Sequence, residues 1–344
     1  MTHAKRRTLA LGFLLLLSML GACAPIQPKP EEQAPLVWPE LPNRPRIAFV
    51  GQFSKPADLG IGKGVFERLG ELLFGTVPTR LIRPLSVVVA GGGVVYVADP
   101  GASGVHRFDP GAGRHDLIVG PDGQALPSPV ALALGSAGEV YVTDSASAQV
   151  LVIRPGTRVA APLDLPQMMQ PTGIAFDKVT GNLFVVDTGA HRVNVFKPDG
   201  TLAFALGGRG DGAGAFNYPT LLWFDAEGHL YVTDSLNFRI QIFNRNGNYL
   251  SGFGQAGDGL GDNVRPKSVA TDSHGHVYVV DALHHALQIY DISGRYLLSV
   301  GSMGTERGEF WLPTGIFIDE SDLIYIADSY NQRVQMFRYI GGPT

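Results

Sequence analysis

The segment Tyr231-Val-Thr-Asp-Ser-Leu-Asn-Phe-Arg-Ile-Gln-Ile-Phe243 contains two short β-forming runs on either side of a polar turn. Its second run alternates polar and apolar residues, as in a strand whose successive side chains point to opposite faces of a sheet. The first run ends at an aspartate, and the same pattern occurs six times at intervals of 43 to 47 residues. A β-rich repeat of this length, with no helical pattern between copies, predicts propeller blades. The six aspartates are Asp99, Asp144, Asp187, Asp234, Asp281 and Asp328.

These repeats resemble the NHL family, and the resemblance extends from about residue 46 to the C-terminus. The family's Asp-x-x-Asn-x-Arg turn is complete in two copies, Asp234-Asn237-Arg239 and Asp328-Asn331-Arg333. The third repeat keeps Asp187 and Arg192 but has Ala190 in place of asparagine. Glycines of the family's interblade loops follow at Gly207, Gly254 and Gly301. The resemblance implies an all-β fold, a six-bladed β-propeller.

A structural role explains the six aspartates without any catalytic function. Asp234 and Arg239 flank a four-residue turn, so we expect them to face each other across a hairpin and to form a hydrogen-bonded ion pair. We therefore assign the six aspartates to the repeat structure rather than to catalysis. The arginines assigned with them are Arg192, Arg239 and Arg333.

The ring closure can also be predicted from the pattern of strands. The sixth repeat ends near residues 333–338 with no outer strand after it, whereas residues 46–51 match the outer strands of other repeats and end in a glycine. We expect these two segments to pair, which would join the chain ends and cover an open sheet edge.

The N-terminus has the features of an export signal. Lys5-Arg6-Arg7 precedes an apolar run over residues 9–20, which is too short to span a bilayer. The following Leu20-Gly-Ala-Cys23 resembles the lipobox of bacterial lipoproteins, and Cys23 is the only cysteine. The resemblance implies a signal peptide over residues 1–22, lipidation of Cys23 and a place in the cell envelope; the alternative is an unmodified thiol. Ala24 after the cysteine implies the outer membrane.

Two further segments flank the start of the predicted propeller. Residues 23–45 are rich in proline, which predicts an extended tether between the lipid anchor and a propeller over residues 46–344. Residues 52–83 form an insertion in which Val65–Phe74 place apolar residues at helical spacing. We expect one short helix there, either capping the propeller or serving as a lid or docking element.

The charge of the chain disfavours nucleic-acid binding. The whole sequence has 27 Lys and Arg against 31 Asp and Glu, and the predicted signal peptide removes three of the basic residues. An exported acidic domain lacks the phosphate attraction on which nucleic-acid affinity depends. Gly252-x-Gly-x-x-Gly257 precedes a strand rather than a helix, so we assign no cofactor. We assign no metal ligands and expect a monomeric propeller.

The residues best suited to binding fall in the loops between blades and in the aspartate-containing turns. Aromatic and arginine side chains are common anchors at binding surfaces. The predicted binding face consists of Arg209, Asn217, Tyr218, Phe238, His284, His285, Arg307, Trp311 and Tyr330.

Two functions remain open from the sequence. The first is a membrane-anchored binding or scaffold propeller whose partner is an envelope protein or an extracellular ligand. The second is a metal-dependent hydrolase or lyase that uses the central channel, as in propeller lactonases. The second is disfavoured because the expected channel positions carry no carboxylate or imidazole. Those positions are Leu85-Ser86, Pro129-Val130, Thr172-Gly173, Thr220-Leu221, Lys267-Ser268 and Thr314-Gly315.

Overall fold

The computed structural model describes residues 35–40, 42–62 and 79–341. Within these ranges the secondary structure consists of β-strands and short 3₁₀ turns, which confirms the all-β class. The chain divides into the units Met1–Pro35 and Leu36–Thr344, and every described strand belongs to the second. The described residues contain no helix that is both long and apolar enough to span a membrane. The predicted signal peptide and Cys23 lie outside the described residues.

Six antiparallel sheets form the six predicted blades. Two strands precede the first blade, β1 (Val37–Trp38) and β2 (Ile47–Phe53). Blade one contains β3 (Ser86–Ala90), β4 (Val94–Asp99), β5 (Gly104–Asp109) and β6 (Arg114–Ile118). Blade two contains β7 (Pro129–Leu134), β8 (Val140–Asp144), β9 (Gln149–Ile153) and β10 (Ala160–Pro162). Blade three contains β11 (Pro171–Phe176), β12 (Leu183–Asp187), β13 (Arg192–Phe196) and β14 (Leu202–Gly207).

The second half of the ring has the same arrangement. Blade four contains β15 (Pro219–Phe224), β16 (Leu230–Asp234), β17 (Arg239–Phe243) and β18 (Tyr249–Phe253). Blade five contains β19 (Pro266–Thr271), β20 (His276–Asp281), β21 (Ala286–Asp291) and β22 (Tyr296–Val300). Blade six contains β23 (Pro313–Ile318), β24 (Leu323–Asp328) and β25 (Arg333–Tyr339), and its outer strands come from the N-terminal end of the chain.

The first strand of each blade is the innermost, because first strands of neighbouring blades pack against one another around the axis. The apolar core lies between adjacent blades. One buried cluster, for example, joins blades five and six and includes Val280, Ile326 and Phe337 together with Ile47 of β2. Each blade therefore buries both faces only when it has two neighbours, which makes the closed ring the stable unit.

The ring closes as the sequence predicts. β2 pairs with β25 in antiparallel register, from Ile47 opposite Tyr339 to Phe53 opposite Val334. Ile47 is fully buried, and the ring of Phe49 packs edge-on against Phe337 at 5.6 Å. The strand is two residues longer than expected at its C-terminal end, so the first residues of the predicted 52–83 insertion belong to the sheet.

A fifth strand covers the outer edge of blade six, and the sequence did not predict it. Val37 and Trp38 of β1 pair with β2, and the Trp38 ring lies 5.7 Å from that of Phe337. These residues fall inside the 23–45 segment predicted as a tether. Their apolar side chains and the free edge of β2 explain why the chain joins the sheet before the predicted boundary.

The described parts of the insertion contain little helix. Pro56–Leu59 form one 3₁₀ turn, and the predicted helix over residues 65–74 lies outside the described residues. The other 3₁₀ turns connect strands within blades or follow a blade's outer strand, and their bounds are Gly91–Gly93, Pro121–Gly123, Thr188–Ala190 and Ser235–Asn237.

The antiparallel order sends the connections of each blade to two faces. The turns between second and third strands share one face with the interblade loops, such as residues 208–218 and 301–312. We call this the long-loop face. The turns between first and second strands and between third and fourth strands lie on the opposite face.

The closure predicts a specific loss of stability. We expect Ile47→Ala to lower the free energy of unfolding by about 2–5 kcal/mol, because it leaves a cavity in the cluster between blades five and six. Val50→Ala is the matched control, since Val50 lies on the same strand but is 49% exposed. Urea denaturation of both variants measures the difference. Equal midpoints for the two variants would show that β2 contributes little to closing the ring.

Candidate binding face and central channel

The six repeat aspartates are fully buried at the ends of the second strands. Each carboxylate accepts at least one hydrogen bond from a backbone N–H of the loop that precedes its own blade. In blade five, Asp281 accepts from Val264 and Arg265 at 2.8–3.0 Å and from Leu283 and His284 at 3.1 Å. A buried carboxylate without such donors would cost several kcal/mol, so these amides are required. The aspartates thereby fasten each interblade loop to the blade that follows it.

Blades four and six add side-chain donors to this arrangement. Oδ2 of Asp234 accepts bonds from Arg239 Nε at 2.8 Å, Asn237 Nδ2 at 2.8 Å and Gln241 Nε2 at 3.0 Å. The guanidinium of Arg239 also donates to the carbonyl oxygen of Ala215 in the preceding loop. The predicted pairing across the hairpin is present in both blades. Blade six repeats it with Asp328, Asn331, Arg333 and Gln335.

Arg192 in blade three departs from the prediction. Its side chain is exposed, and among the described residues it forms no hydrogen bond or ion pair with Asp187. Asp187 is satisfied instead by the amides of Met169 and Gln170 at 2.9–3.1 Å. The loop before blade three lacks the glycine-rich turn whose carbonyl oxygens bind the arginine in blades four and six, so the guanidinium has no site to enter.

Two histidines accept hydrogen bonds from the loops before blades four and six. Asp234 accepts only the Asn217 amide from its loop, at 2.7 Å, because its other oxygen is occupied by side chains. The next amide, that of Tyr218, donates to Nδ1 of His191 at 3.2 Å, from the turn of blade three. His285 accepts from the Leu312 amide in the same way, also at 3.2 Å. His285 is thus a structural acceptor, and the sequence reasoning missed its counterpart His191.

Electrostatics differ between these equivalent turns. Burial raises the pKa of Asp328, and the bonds from Trp311, Asn331 and Arg333 do not fully offset it. At Asp99, burial also acts to raise the pKa, but the nearby His106, whose Nε2 lies 3.5 Å from Oδ2, and the loop amides outweigh it and hold the pKa below its usual value. The ionised form of Asp99 therefore favours folding at neutral pH. The pKa of the buried aspartate is thus raised in the turn of blade six and lowered in the turn of blade one.

An exposed aromatic pair lies on the long-loop face of blade six. The rings of Trp311 and Tyr330 are 5.8 Å apart and the residues are 42% and 53% exposed. Their backbones are fixed, because the Trp311 amide donates to Asp328 at 2.8 Å and the Tyr330 amide donates to the Trp311 carbonyl at 3.2 Å. Exposed aromatic rings on a fixed backbone bind partners with little loss of conformational entropy.

Other predicted members of the face are exposed but separate from this pair. Tyr218 is 44% exposed and packs edge-on against His191 at 4.6 Å, beside blade four. Arg209 is exposed in the same interblade loop. Leu283, in the turn of blade five, is 52% exposed and was not predicted, since a lone exposed leucine carries no signal in a sequence.

The remaining predicted members serve the structure or lie at the rim. Asn217 holds Asp234 through its amide, and Phe238 is half-buried in the turn of blade four. Nδ1 of His284 contacts Nε2 of Gln288 at 3.1 Å. Arg307 lies 5.7 Å from the ring centre of Phe49, over the outer strand β2. The predicted members that are exposed are therefore Tyr218, Trp311, Tyr330, Arg209 and Arg307.

Hydroxyl groups at the mouth of the central channel donate hydrogen bonds to the next blade. Oγ1 of Thr220 donates to the carbonyl oxygen of Lys267 at 2.8 Å, and similar bonds cross most of the other blade boundaries. The protons of these hydroxyl groups are therefore used to join the blades. The other bonds are Thr143 to Thr172, Thr172 to Thr220, Ser268 to Thr314 and Thr314 to Leu85.

Two inner-strand glycines allow this close approach. A Cβ at Gly173 would collide with the carbonyl oxygen of Thr220, and one at Gly315 would collide with that of Leu85. The first strands are thus packed too closely at these positions for any other residue.

A cluster suited to metal ligation occurs on the opposite face. Asp225, Glu227 and His229 place one ligand atom each within 4.8 Å of one another in the first turn of blade four. Nδ1 of His229 is already 2.8 Å from Asp225 Oδ2, and Oδ1 accepts the His229 amide at 2.7 Å. The metal-dependent hypothesis required ligands at the channel mouth, and this cluster lies elsewhere.

Asp225 belongs to a second series of aspartates that the sequence reasoning missed. These residues begin the first turn of blades three to six and accept amides within that turn, as Asp272 does from His274 and His276. Burial acts to raise the pKa of Asp272, but bonds from His276 and Tyr278 lower it further than burial raises it. The 47- to 48-residue spacing was a signal that could have found them. The series is Asp177, Asp225, Asp272 and Asp319.

The contrast between Arg333 and Arg192 predicts a difference in stability. We expect Arg333→Met to lower the free energy of unfolding by about 3–5 kcal/mol, because Asp328 and the carbonyl oxygens of the preceding loop lose a buried partner. Arg192→Met should change it by less than about 0.5 kcal/mol. Chemical denaturation of the two variants provides the measurement. Losses of equal size would contradict the assignment of Arg333 as the buried partner.

Two parts of the chain match known family models. Residues 168–196 match the NHL repeat, and residues 267–340 match a family described as a 6-bladed beta-propeller. No curated protein matches the sequence.

Many solved structures share the fold at low sequence identity. An auxiliary nutrient binding protein from Bacteroides thetaiotaomicron is 13% identical with a TM-score of 0.61, over 76% of this chain and 71% of that one. Virginiamycin B lyase from Staphylococcus aureus is 14% identical with a TM-score of 0.53, over 75% and 95%. A structure described as a putative gluconolactonase is 14% identical with a TM-score of 0.57, over 76% and 89%. The chain is therefore a six-bladed β-propeller that contains an NHL repeat.

Proposed function

We propose that this protein is an extracytoplasmic binding or scaffold propeller, anchored to the bacterial outer membrane through Cys23, whose long-loop face binds an envelope protein or an extracellular ligand. The observation that carries the proposal is the exposed pair Trp311–Tyr330 on a backbone fixed by Asp328. Tryptophan and tyrosine bury large areas with few rotatable bonds and dominate the energy of many interfaces.

The hydroxyl groups at the channel mouth, which form hydrogen bonds to neighbouring blades, support a binding role rather than catalysis. The inner-strand hydroxyls Thr220, Ser268 and Thr314 donate their protons to neighbouring blades, so their first role is to hold the ring together. Catalysis by a bound divalent ion needs fixed ligands with an open coordination position. The hydrolase or lyase alternative rests on the fold shared with virginiamycin B lyase and the putative gluconolactonase, and fold alone does not carry function.

A binding role agrees with one group of structural neighbours. Auxiliary nutrient binding proteins from two Bacteroides species share the propeller at 13–14% identity. For this chain, we take a protein of the envelope as the first partner to test, because Trp311 and Tyr330 are both about half exposed to solvent. A small ligand would gain more from a concave, enclosed site.

The membrane anchor is the second element of the proposal. The basic residues, the short apolar run and the lipobox-like Leu20-Gly-Ala-Cys23 support it. One acyl chain gives only marginal attachment, whereas the three chains of bacterial lipoproteins would hold the protein durably. The proline-rich segment would then separate the propeller from the lipid surface.

The anchor is tested by Cys23→Ser. We expect this variant to lose palmitate labelling and to leave the membrane fraction or to accumulate as a precursor. Ala24→Ser is the control, because it alters the neighbouring residue and keeps the thiol. A Cys23→Ser protein of processed mass that stays in the membrane fraction would overturn the lipid anchor.

The binding face is tested with a photo-crosslinking amino acid placed at Tyr330 in cells that produce the protein. We expect one discrete adduct that disappears when Trp311→Ala is introduced, because the two rings form one surface. Tyr249 is the matched control position, since it is 41% exposed but follows a turn on the opposite face.

Three results would count against the proposal. The first is equal crosslinking from Tyr330 and Tyr249, and the second is an adduct that is unaffected by Trp311→Ala. The third is a stoichiometric divalent ion in the purified protein that persists after Asp225→Asn, because such an ion would require a site away from the blade-four cluster and would favour the enzyme alternative.

A further inference from the structure

The first turn of blade four brings three side chains with metal-ligand chemistry together. Asp225, Glu227 and His229 each place one ligand atom within 4.8 Å of the other two. The backbone of the turn is fixed, because the Asp225 amide donates to the His229 carbonyl at 3.0 Å and the Gly228 amide donates to the Asp225 carbonyl at 3.1 Å. The turn therefore holds the three side chains in place without help from a ligand.

Glu227 adds a second negative charge with which no basic side chain pairs. Glu227 is exposed, and among the described residues it forms no hydrogen bond or ion pair. Arg245 packs against Gly228 of the same turn, but its ion pair is with Asp177 of blade three, at 3.3 Å. Two carboxylates and one imidazole thus lie together, and this set of donors suits a divalent ion such as zinc.

A buried hydroxyl group beside this cluster has no partner. Tyr231 is fully buried, and its hydroxyl faces Asp225 without forming a hydrogen bond with it or with any other described residue. Tyr278, at the same position of blade five, donates to Asp272 at 2.8 Å, and Tyr325 of blade six donates to the equivalent aspartate at 3.2 Å. An unpaired buried donor at this position indicates that a water or an ion completes the site.

Blade five has the same spacing of residues without the same convergence. Its first turn carries Asp272, His274 and His276 at the equivalent positions. Oδ2 of Asp272 is shared by His276 Nδ1 at 2.7 Å and the Tyr278 hydroxyl at 2.8 Å. Nδ1 of His274 lies nearer to Asp322 of blade six, at 3.4 Å, than to Asp272, at 3.9 Å. Within the described part of the chain, the blade-four turn alone combines three converging ligand atoms with an unpaired donor.

We propose that Asp225, Glu227 and His229 bind one divalent transition-metal ion, for which Zn²⁺ is the test ion. A water in the fourth position accepts the hydrogen bond of the Tyr231 hydroxyl. The ion takes the place of the proton between His229 Nδ1 and Asp225 Oδ2, which are 2.8 Å apart, and that proton is released to solvent. The imidazole favours zinc over calcium or magnesium, which prefer oxygen ligands. The cluster lies on the face opposite to Trp311, so this site is independent of the proposed partner surface.

The proposal is tested by calorimetric titration of Zn²⁺ into the purified full-length protein, which carries no histidine tag and has been freed of metal with a chelator. We expect one saturable equivalent. Glu227→Gln and His229→Gln should each weaken binding at least about tenfold, because each removes a ligand. His274→Gln is the matched control, since it alters the equivalent of Glu227 in blade five, is likewise exposed, and should bind zinc as the parent does.

Tyr231→Phe separates a donor to a metal-bound water from an ordinary core tyrosine. We expect it to weaken zinc binding about tenfold, as for other groups that contact a metal's ligands. It should leave the melting temperature of the metal-free protein unchanged, because the hydroxyl that it removes has no partner there. Tyr278→Phe is the control, because it removes the bond to Asp272 and should lower the melting temperature without changing zinc affinity.

Three results would overturn the site. They are zinc affinity that is unchanged in Glu227→Gln and His229→Gln, an equal loss of affinity in His274→Gln, and calcium binding that is as tight as zinc binding and does not depend on His229. If His229→Gln fails to fold, Glu227→Gln and Tyr231→Phe decide the question, because zinc affinity that neither of them changes would exclude the cluster.

Discussion

The buried aspartate at the end of each second strand is the interaction on which the propeller depends. Its carboxylate is removed from water, which is costly, and the cost is offset by amides of the loop that arrives from the previous blade, together with amides or side chains of the aspartate's own hairpin. Each aspartate therefore joins two blades through one side chain. Each interblade loop is therefore held next to the blade that follows it, at the point where its amides meet the carboxylate.

The six turns meet this requirement in two ways, and the difference gives the ring its asymmetry. Blades one, two, three and five satisfy the carboxylate mainly with backbone amides. Blades four and six use arginine, asparagine and glutamine, which displaces one loop amide onto a histidine of the preceding blade, His191 or His285. The same two loops present Tyr218 and Trp311 to solvent. The most aromatic part of the face thus coincides with the most elaborate aspartate sites.

Much of the fold was predictable because it follows from local pattern. The period set the number of blades, and the missing outer strand of the sixth repeat indicated closure by β2. The parts of the structure that the sequence did not predict depend on contacts between residues that are far apart in the chain. Arg192 carries the family residue but lacks the carbonyl oxygens that hold Arg333, and β1 forms in a proline-rich segment because an open sheet edge lies beside it. The contact between Trp311 and Tyr330 likewise depends on two loops whose meeting no sequence spacing indicates.

Because loop amides and inner-strand hydroxyls hold the ring together, fewer polar groups are left for binding or catalysis. Loop amides are bound by aspartates, and the inner hydroxyls are bound by the next blade's carbonyl oxygens. Recognition must therefore come from side chains that the ring does not need. In blade five, Lys267 lies where three other blades have threonine, and Ser268 supplies the bond to the next blade in its place. Residues at this position can therefore differ between blades while a hydroxyl bond still crosses the boundary.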